Sequence, residues 1–140
     1  GLKGANSTEF DKNTRYPVIE LMESQRAIKR KGGTMRLGAY DCTIEPGTQT
    51  YAAYRKKQIS ERHRHRWEVN NRYRDRLVKN GLKISGVNEE LNLVEIIELP
   101  DHPWYIAAQF HPELKSRVSK AHPLFRQFIK AAVKHLNGKS

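Results

Sequence analysis

The stretch Trp104-Tyr105-Ile106-Ala107-Ala108-Gln109-Phe110-His111-Pro112-Glu113 decides how the chain is read. Its first five residues form an apolar run with the length and composition of a buried strand. The histidine and glutamate that follow therefore emerge just past a strand's carboxyl end, where open α/β sheets place their ligand sites. In extended backbone, residues two apart point to the same side, so Glu113 is within reach of the His111 ring. A carboxylate on one ring nitrogen fixes the tautomer and leaves the other nitrogen to a substrate or nucleophile. A base held by a carboxylate is two-thirds of a nucleophilic triad. The bland alternative for the same residues is a turn histidine beside a solvated carboxylate.

Composition sets the frame around that stretch. The 140 residues leave room for one domain, and 37% hydrophobic residues supply a modest core. The chain holds no run of 18 apolar residues, and no apolar stretch follows Lys3, so neither a membrane span nor a signal peptide is expected. A single cysteine, Cys42, cannot form an internal disulfide, which suits a reducing cytoplasm. The net charge of +11 fits nucleic acid, an anionic metabolite such as a nucleotide, or an acidic partner surface. The basic residues are spread along the chain, with local clusters at Lys29-Arg30-Lys31 and Arg55-Lys56-Lys57, and no aromatics interleave them. A solvated face or a nucleotide site is therefore preferred to DNA or RNA.

Residues 1–33 read as a loop-rich start with at most a short strand at Pro17–Met22, and 23–33 as an exposed, mobile connection. So long an opening without a core element suggests a boundary cut through a larger unit. Gly32-Gly33-Thr34-Met35-Arg36-Leu37-Gly38 leads into a β-rich alternation at 39–44 that Pro46-Gly47 stops. The glycine spacing matches neither a Walker nor a dinucleotide fingerprint. Cys42, inside the strand pattern, reads as a packed small hydrophobe rather than a nucleophile.

A short helix is expected over 48–54, then a dense alternation, Glu61-Arg62-His63-Arg64-His65-Arg66-Trp67-Glu68-Val69-Asn70. If this segment is extended, His63 and His65 share one face and the three arginines the other. Two histidines on one face would begin a zinc site, but a third ligand is not evident and the arginines oppose a cation, so no metal is expected. An anion-facing strand is preferred to a charged edge strand. A helix over 71–80 with a C′ glycine at Gly81, and a hairpin of Leu82–Ser85 with Leu91–Leu99, come next. His122-Pro123 opens the last helix, whose apolar stripe of Leu124, Phe125, Phe128, Ile129, Ala132, Val133 and Leu136 is predicted to pack on the sheet.

Five strings, in register and in uninterrupted order, carry a resemblance: Ala5 to Phe10, Gly32 to Gly38, Glu61 to Asn70, Val94 to Glu98 and Gln109 to Glu113. Together they resemble the CTP synthase family, in the second half of its C-terminal class I (triad) glutamine amidotransferase domain, over essentially the whole chain. The resemblance implies a three-layer α/β/α, flavodoxin-like fold with a mostly parallel central sheet, of which residues 1–140 form the C-terminal part, the sheet and helices with the site lying in 34–140. It implies hydrolysis of glutamine to glutamate and ammonia, the ammonia passing to a synthetase domain that uses ATP and Mg²⁺ to aminate UTP to CTP, in pyrimidine nucleotide biosynthesis.

By the same resemblance His111 corresponds to the triad base and Glu113 to its orienting carboxylate, while Glu9 and Arg66 match glutamine-binding positions. Chemistry agrees, for Glu9 suits the substrate's ammonium and Arg66 its carboxylate. Arg36 and Arg64 are open to either the nucleotide or the interdomain side. GTP as activator, a homotetramer and a cytoplasmic location are implied for the full enzyme; no cofactor is implied for these residues, and neither nucleic acid nor membrane as a partner. The family's nucleophilic cysteine lies in a Gly-x-Cys-x-Gly-type elbow upstream of the Ser7-Thr8-Glu9-Phe10 string, so the chain is expected to lack it and to be inactive alone. The alternatives are a basic nucleotide- or nucleic-acid-binding module built on Arg62 to Arg66, and a catalytically silent amidotransferase-like scaffold.

Overall fold

The computed structural model describes residues 1–21 and 35–138. The connection expected at 23–33, the Lys29-Arg30-Lys31 cluster and the Gly32-Gly33-Thr34 part of the glycine string lie outside the described residues.

The start of the chain holds two strands, β1 (Ala5–Ser7) and β2 (Tyr16–Leu21), where at most one short strand was expected. They run parallel, and β2 pairs antiparallel with β5 (Trp67–Val69), giving a three-stranded sheet in the order β1-β2-β5. A second, five-stranded sheet has the order β4-β3-β6-β7-β8, from β3 (Arg36–Ile44), β4 (Gln58–His65), β6 (Lys83–Asn88), β7 (Leu93–Glu98) and β8 (Ile106–Ala108). Every pairing in it is antiparallel. The mostly parallel sheet implied by the resemblance is therefore not what the described residues contribute: short turns join β6 to β7 and β7 to β8, and connections of that length return the chain antiparallel.

Local chemistry sets the elements. Helix α1 (Gln49–Tyr54) begins at Thr48, whose hydroxyl oxygen accepts from the Tyr51 N–H at 3.0 Å. Two more of its free N–H groups are met from β7: the buried Glu98 carboxylate accepts from the main chain of Gln49 and of Thr50, each at 3.0 Å. The expected helix over 71–80 divides into a 3₁₀ turn, Asn71–Tyr73, and α2, Arg74–Lys79, with Gly81 at φ 95° just beyond. Helix α3 (Pro123–Leu136) starts as expected with proline in its first turn.

The core is small: Cys42, Ile44, Ala53, Ile96, Phe110 and Leu124, with Tyr51, Tyr54, Ile59, Trp104, Ile106 and Ala108 packed around it. Two burial expectations fail. Among the described residues strand β8 pairs only with β7, and as an edge strand it is half-buried, with Ala107 exposed, rather than the buried strand read from the apolar run. Of the α3 stripe only Leu124 is buried; Phe128, Ile129 and Val133 are 54%, 58% and 51% exposed.

Candidate active site

The approach to His111 is built by main-chain bonds. Gln109 N–H donates to the Glu95 carbonyl oxygen at 2.9 Å, extending the β7–β8 pairing past its last named residue, and His111 N–H donates to the Arg62 carbonyl oxygen at 2.9 Å. The chain thus crosses from β7 to the far edge strand β4 within three residues, with Phe110 buried between the two anchors. Pro112 then opens a 3₁₀ turn, Pro112–Lys115, capped by the extended backbone of His111.

This turn brings Glu113 back onto the ring of His111. Their Nδ1 and Oε1 atoms are 2.6 Å apart, with His111 half-buried and Glu113 exposed. The contact first, and Arg64 nearby to a lesser degree, hold the Glu113 carboxyl below its ordinary value. An ionised Glu113 accepts from Nδ1–H, which leaves Nε2 as the free lone pair. A base so oriented can take a proton from a nucleophile and return it to a leaving group.

The other two candidate residues converge by topology. Glu9 lies two residues after β1, and Arg66 immediately precedes β5. Because β1 is parallel and β5 antiparallel to β2, both fall at the Leu21 end of the small sheet. Arg66, half-buried, is also four residues along the chain from Arg62, whose carbonyl oxygen accepts from the His111 N–H.

The alternation at 61–66 folds as its spacing requires. Glu61 and His63 are buried and His65 half-buried, while Arg62 and Arg64 are exposed. Strand β4 lies at the edge of the five-stranded sheet, the position that the charged-edge reading gives it. Sequence reasoning missed the destination of the inward residues. Arg36, open to two assignments on sequence, is buried: its guanidinium contacts Glu95 and lies 3.4 Å from Glu68, and His63 Nε2 is 3.5 Å from the second Glu95 oxygen. Burial, with Arg36 beside it, pushes His63 down to about 3, so the ring is neutral. The signal was available, since charged residues at every second strand position on an inward face demand buried partners.

Cys42 is 1% exposed in the core, and burial, then the nearby Glu95 charge, pushes its thiol up to about 12. It is the packed hydrophobe that the sequence indicated. Among the described residues no three His, Cys, Asp or Glu side chains are grouped to hold a metal ion, and no helix is long and apolar enough to cross a membrane.

Known proteins resemble this chain along nearly all its length. The profile of the glutamine amidotransferase class-I family matches residues 8–131. The CTP synthase of Pelotomaculum thermopropionicum is 59% identical over 135 residues, 96% of this chain and 25% of that protein. The CTP synthase of Methanosphaera stadtmanae is 61% identical over 132 residues, 94% of this chain and 25% of that protein. The chain thus spans about a quarter of the length of the curated relatives it matches. Among solved structures, the Trypanosoma brucei CTPS glutaminase domain with bound acivicin superposes with a TM-score of 0.87 at 36% identity, over 96% of this chain and 52% of that one. A Thermoplasma acidophilum protein assigned to GMP synthase, at TM-score 0.54 and 16% identity over 75% of this chain and 48% of that one, shares the fold alone.

Proposed function

Because the chain belongs to the class I glutamine amidotransferase family, we propose that it is the base-bearing part of the glutaminase of a CTP synthase. The observation that carries the reading is the 2.6 Å contact between His111 Nδ1 and Glu113 Oε1 at the end of a turn hung from two strands.

A carboxamide is a poor electrophile, so an activated thiolate must attack it. His111 Nε2 takes the thiol proton, and the thiolate adds to the amide carbon of glutamine. On collapse of the tetrahedral species, the C–N bond breaks and His111 gives its proton to the departing ammonia. The same nitrogen then takes a proton from water as it attacks the thioester, and glutamate leaves with the thiol restored. Glu113 orients the ring and stabilises the imidazolium in both halves. Glu9 meets the ammonium of the substrate and Arg66 its carboxylate.

The thiolate is not that of Cys42, which is buried and protonated. In this proposal it comes from a cysteine outside these 140 residues, and the chain alone hydrolyses no glutamine. The ammonia passes to a synthetase domain of the same enzyme, which consumes ATP with Mg²⁺ to aminate UTP. Both of those are assigned to that domain. GTP activation, a homotetramer and a cytoplasmic location complete the proposal; nucleic acid and membrane have no part in it.

The test is glutamine hydrolysis by this chain, alone and joined to the preceding part of the domain. Activity only in the joined protein, lost on His111→Ala, is the expected result. A folded joined protein that stays inactive overturns the reading.

A further inference from the structure

The proposed chemistry leaves one buried carboxylate beside the site without a task. Glu61 is 2% exposed on β4. Its Oε1 accepts from the Tyr54 hydroxyl and from His122 Nε2, each at 3.1 Å. Its Oε2 has no hydrogen-bond partner and faces the Lys115 ammonium at 3.6 Å. Lys115 is the last residue of the turn that carries His111 and Glu113.

Three consecutive residues of β4 therefore grip that turn. The Ser60 carbonyl accepts from Lys115 Nζ, Glu61 faces the same ammonium, and the Arg62 carbonyl accepts from His111 N–H at 2.9 Å. The far side of the loop is tied to the same carboxylate. His122 N–H donates to Ser116 Oγ at 3.1 Å, and His122 Nδ1 accepts from Leu124 N–H at 3.3 Å, capping α3. With Nδ1 accepting, the ring proton sits on Nε2, where it is donated to Glu61. Tyr54 stays protonated and donates as well, since burial and the Glu61 charge both raise its pKa.

A buried charge is costly to hold, and apolar residues of similar volume commonly stabilise a core as well or better. Here the charge draws donors from α1, from the cap of α3 and from the catalytic turn to one point. We propose that Glu61 is a positioning residue, which acts through Lys115 and His122 to set the height and orientation of the 111–115 turn so that His111 Nε2 meets the nucleophile. This rests on the glutaminase reading given above.

The experiment compares Glu61→Gln, Lys115→Met and the double variant in the complete enzyme. Lys115 is exposed, so its variant does not threaten folding. Each single change is expected to lower kcat for glutamine hydrolysis about tenfold while KM stays within about twofold. The double variant should lose less than the product of the two single losses, since both remove the Glu61–Lys115 contact, and amide hydrogen exchange across 110–116 should quicken in all three. Wild-type kcat in Lys115→Met, or losses that multiply in the double variant, overturns the proposal; if Glu61→Gln does not fold, Lys115→Met alone decides. Should the wild-type complete enzyme hydrolyse no glutamine, the functional reading fails by itself. The exchange data then rule on positioning, and unchanged protection of the turn in Lys115→Met rejects it.

Discussion

The main-chain N–H of His111 donates to the carbonyl oxygen of Arg62 at 2.9 Å, so the candidate base hangs from the middle of an edge strand rather than from a free loop. Its ring is held from the other side by Glu113 at 2.6 Å. Backbone and imidazole are thus both fixed before any substrate arrives, and the entropy of aligning a base is lost on folding instead of at the transition state.

The roles proposed for the two residues differ, and so should their removal. In a complete enzyme, His111→Ala is expected to lower glutamine-dependent kcat by about 10⁴-fold, near the upper range for a general base. Glu113→Ala should cost on the order of 10²-fold, because an orienting group contributes less than the base it orients. Activity with free ammonia should survive both changes. Since the His111 contact holds the Glu113 carboxyl below 4.5, it stays ionised through the neutral range and should not produce an acid limb above that pH. Equal losses in the two variants would remove the assigned order of roles, and loss of ammonia-dependent activity would make His111 structural.

Cys42 provides a negative control for the nucleophile. Its thiol is enclosed with Ile44 and Ile96 and pushed up to about 12, so native protein should resist iodoacetamide at pH 8, and one equivalent should react on unfolding. Cys42→Ala should leave glutaminase activity of the complete enzyme within about twofold and cost about 1–2 kcal/mol in urea unfolding. Loss of hydrolysis in a folded Cys42→Ala protein would make Cys42 a candidate nucleophile.

How far the sequence could be read depended on whether the partners of a pattern lay nearby. The His111–Glu113 pair was legible because short sequence spacing keeps the two side chains close, although the 3₁₀ turn Pro112–Lys115 joins them and not the extended backbone from which the contact was expected. The alternation of Glu61, His63 and His65 with the arginines was legible because two-residue spacing in a strand settles which way each points. That Arg36 would be buried between Glu68 and Glu95 was not, because those partners lie 32 and 59 residues away. The antiparallel pairing of β6 with β7 was legible as a hairpin, whereas that of β3 with β4 and β6 was hidden behind a family expectation. The α3 stripe shows the reverse error: its periodicity correctly marked an apolar face, yet periodicity does not say that a covering layer lies within the same residues.

Gly86 on β6 is closed to any side chain. A Cβ built there would lie 2.7 Å from Ile96 Cγ1, 2.8 Å from Cys42 Sγ and 2.9 Å from Ile96 Cδ1, all belonging to buried residues. Gly86→Ala is expected to lower the unfolding free energy by about 1–3 kcal/mol through overpacking. Adding Cys42→Ala removes one of the colliding atoms, so the double variant should be more stable than the sum of the two single losses. Strict additivity in urea denaturation would show that the strand shifts to admit the methyl group and that the close packing of β6 on β7 is not the constraint.

His63 predicts the pH dependence of stability. Its ring is 1% exposed, edge-on to Tyr40 and Phe110, with neither ring nitrogen in a hydrogen bond. Held at about 3 against an ordinary 6.5, it stays neutral in the folded chain while the unfolded chain takes up a proton. The unfolded state therefore binds more protons throughout that interval, and stability falls as pH drops below 6.5, at about 1.4 kcal/mol per pH unit from this residue. The charged and polar groups that face the ring, Arg36, Glu95, His65 and His111, are common to wild type and to a His63→Met variant. Between pH 6.5 and pH 5, wild type should lose on the order of 2 kcal/mol more than His63→Met in urea unfolding. Parallel losses in the two proteins would mean that the folded state admits the charge on His63, and that the network of Arg36, Glu68 and Glu95 rearranges to receive it.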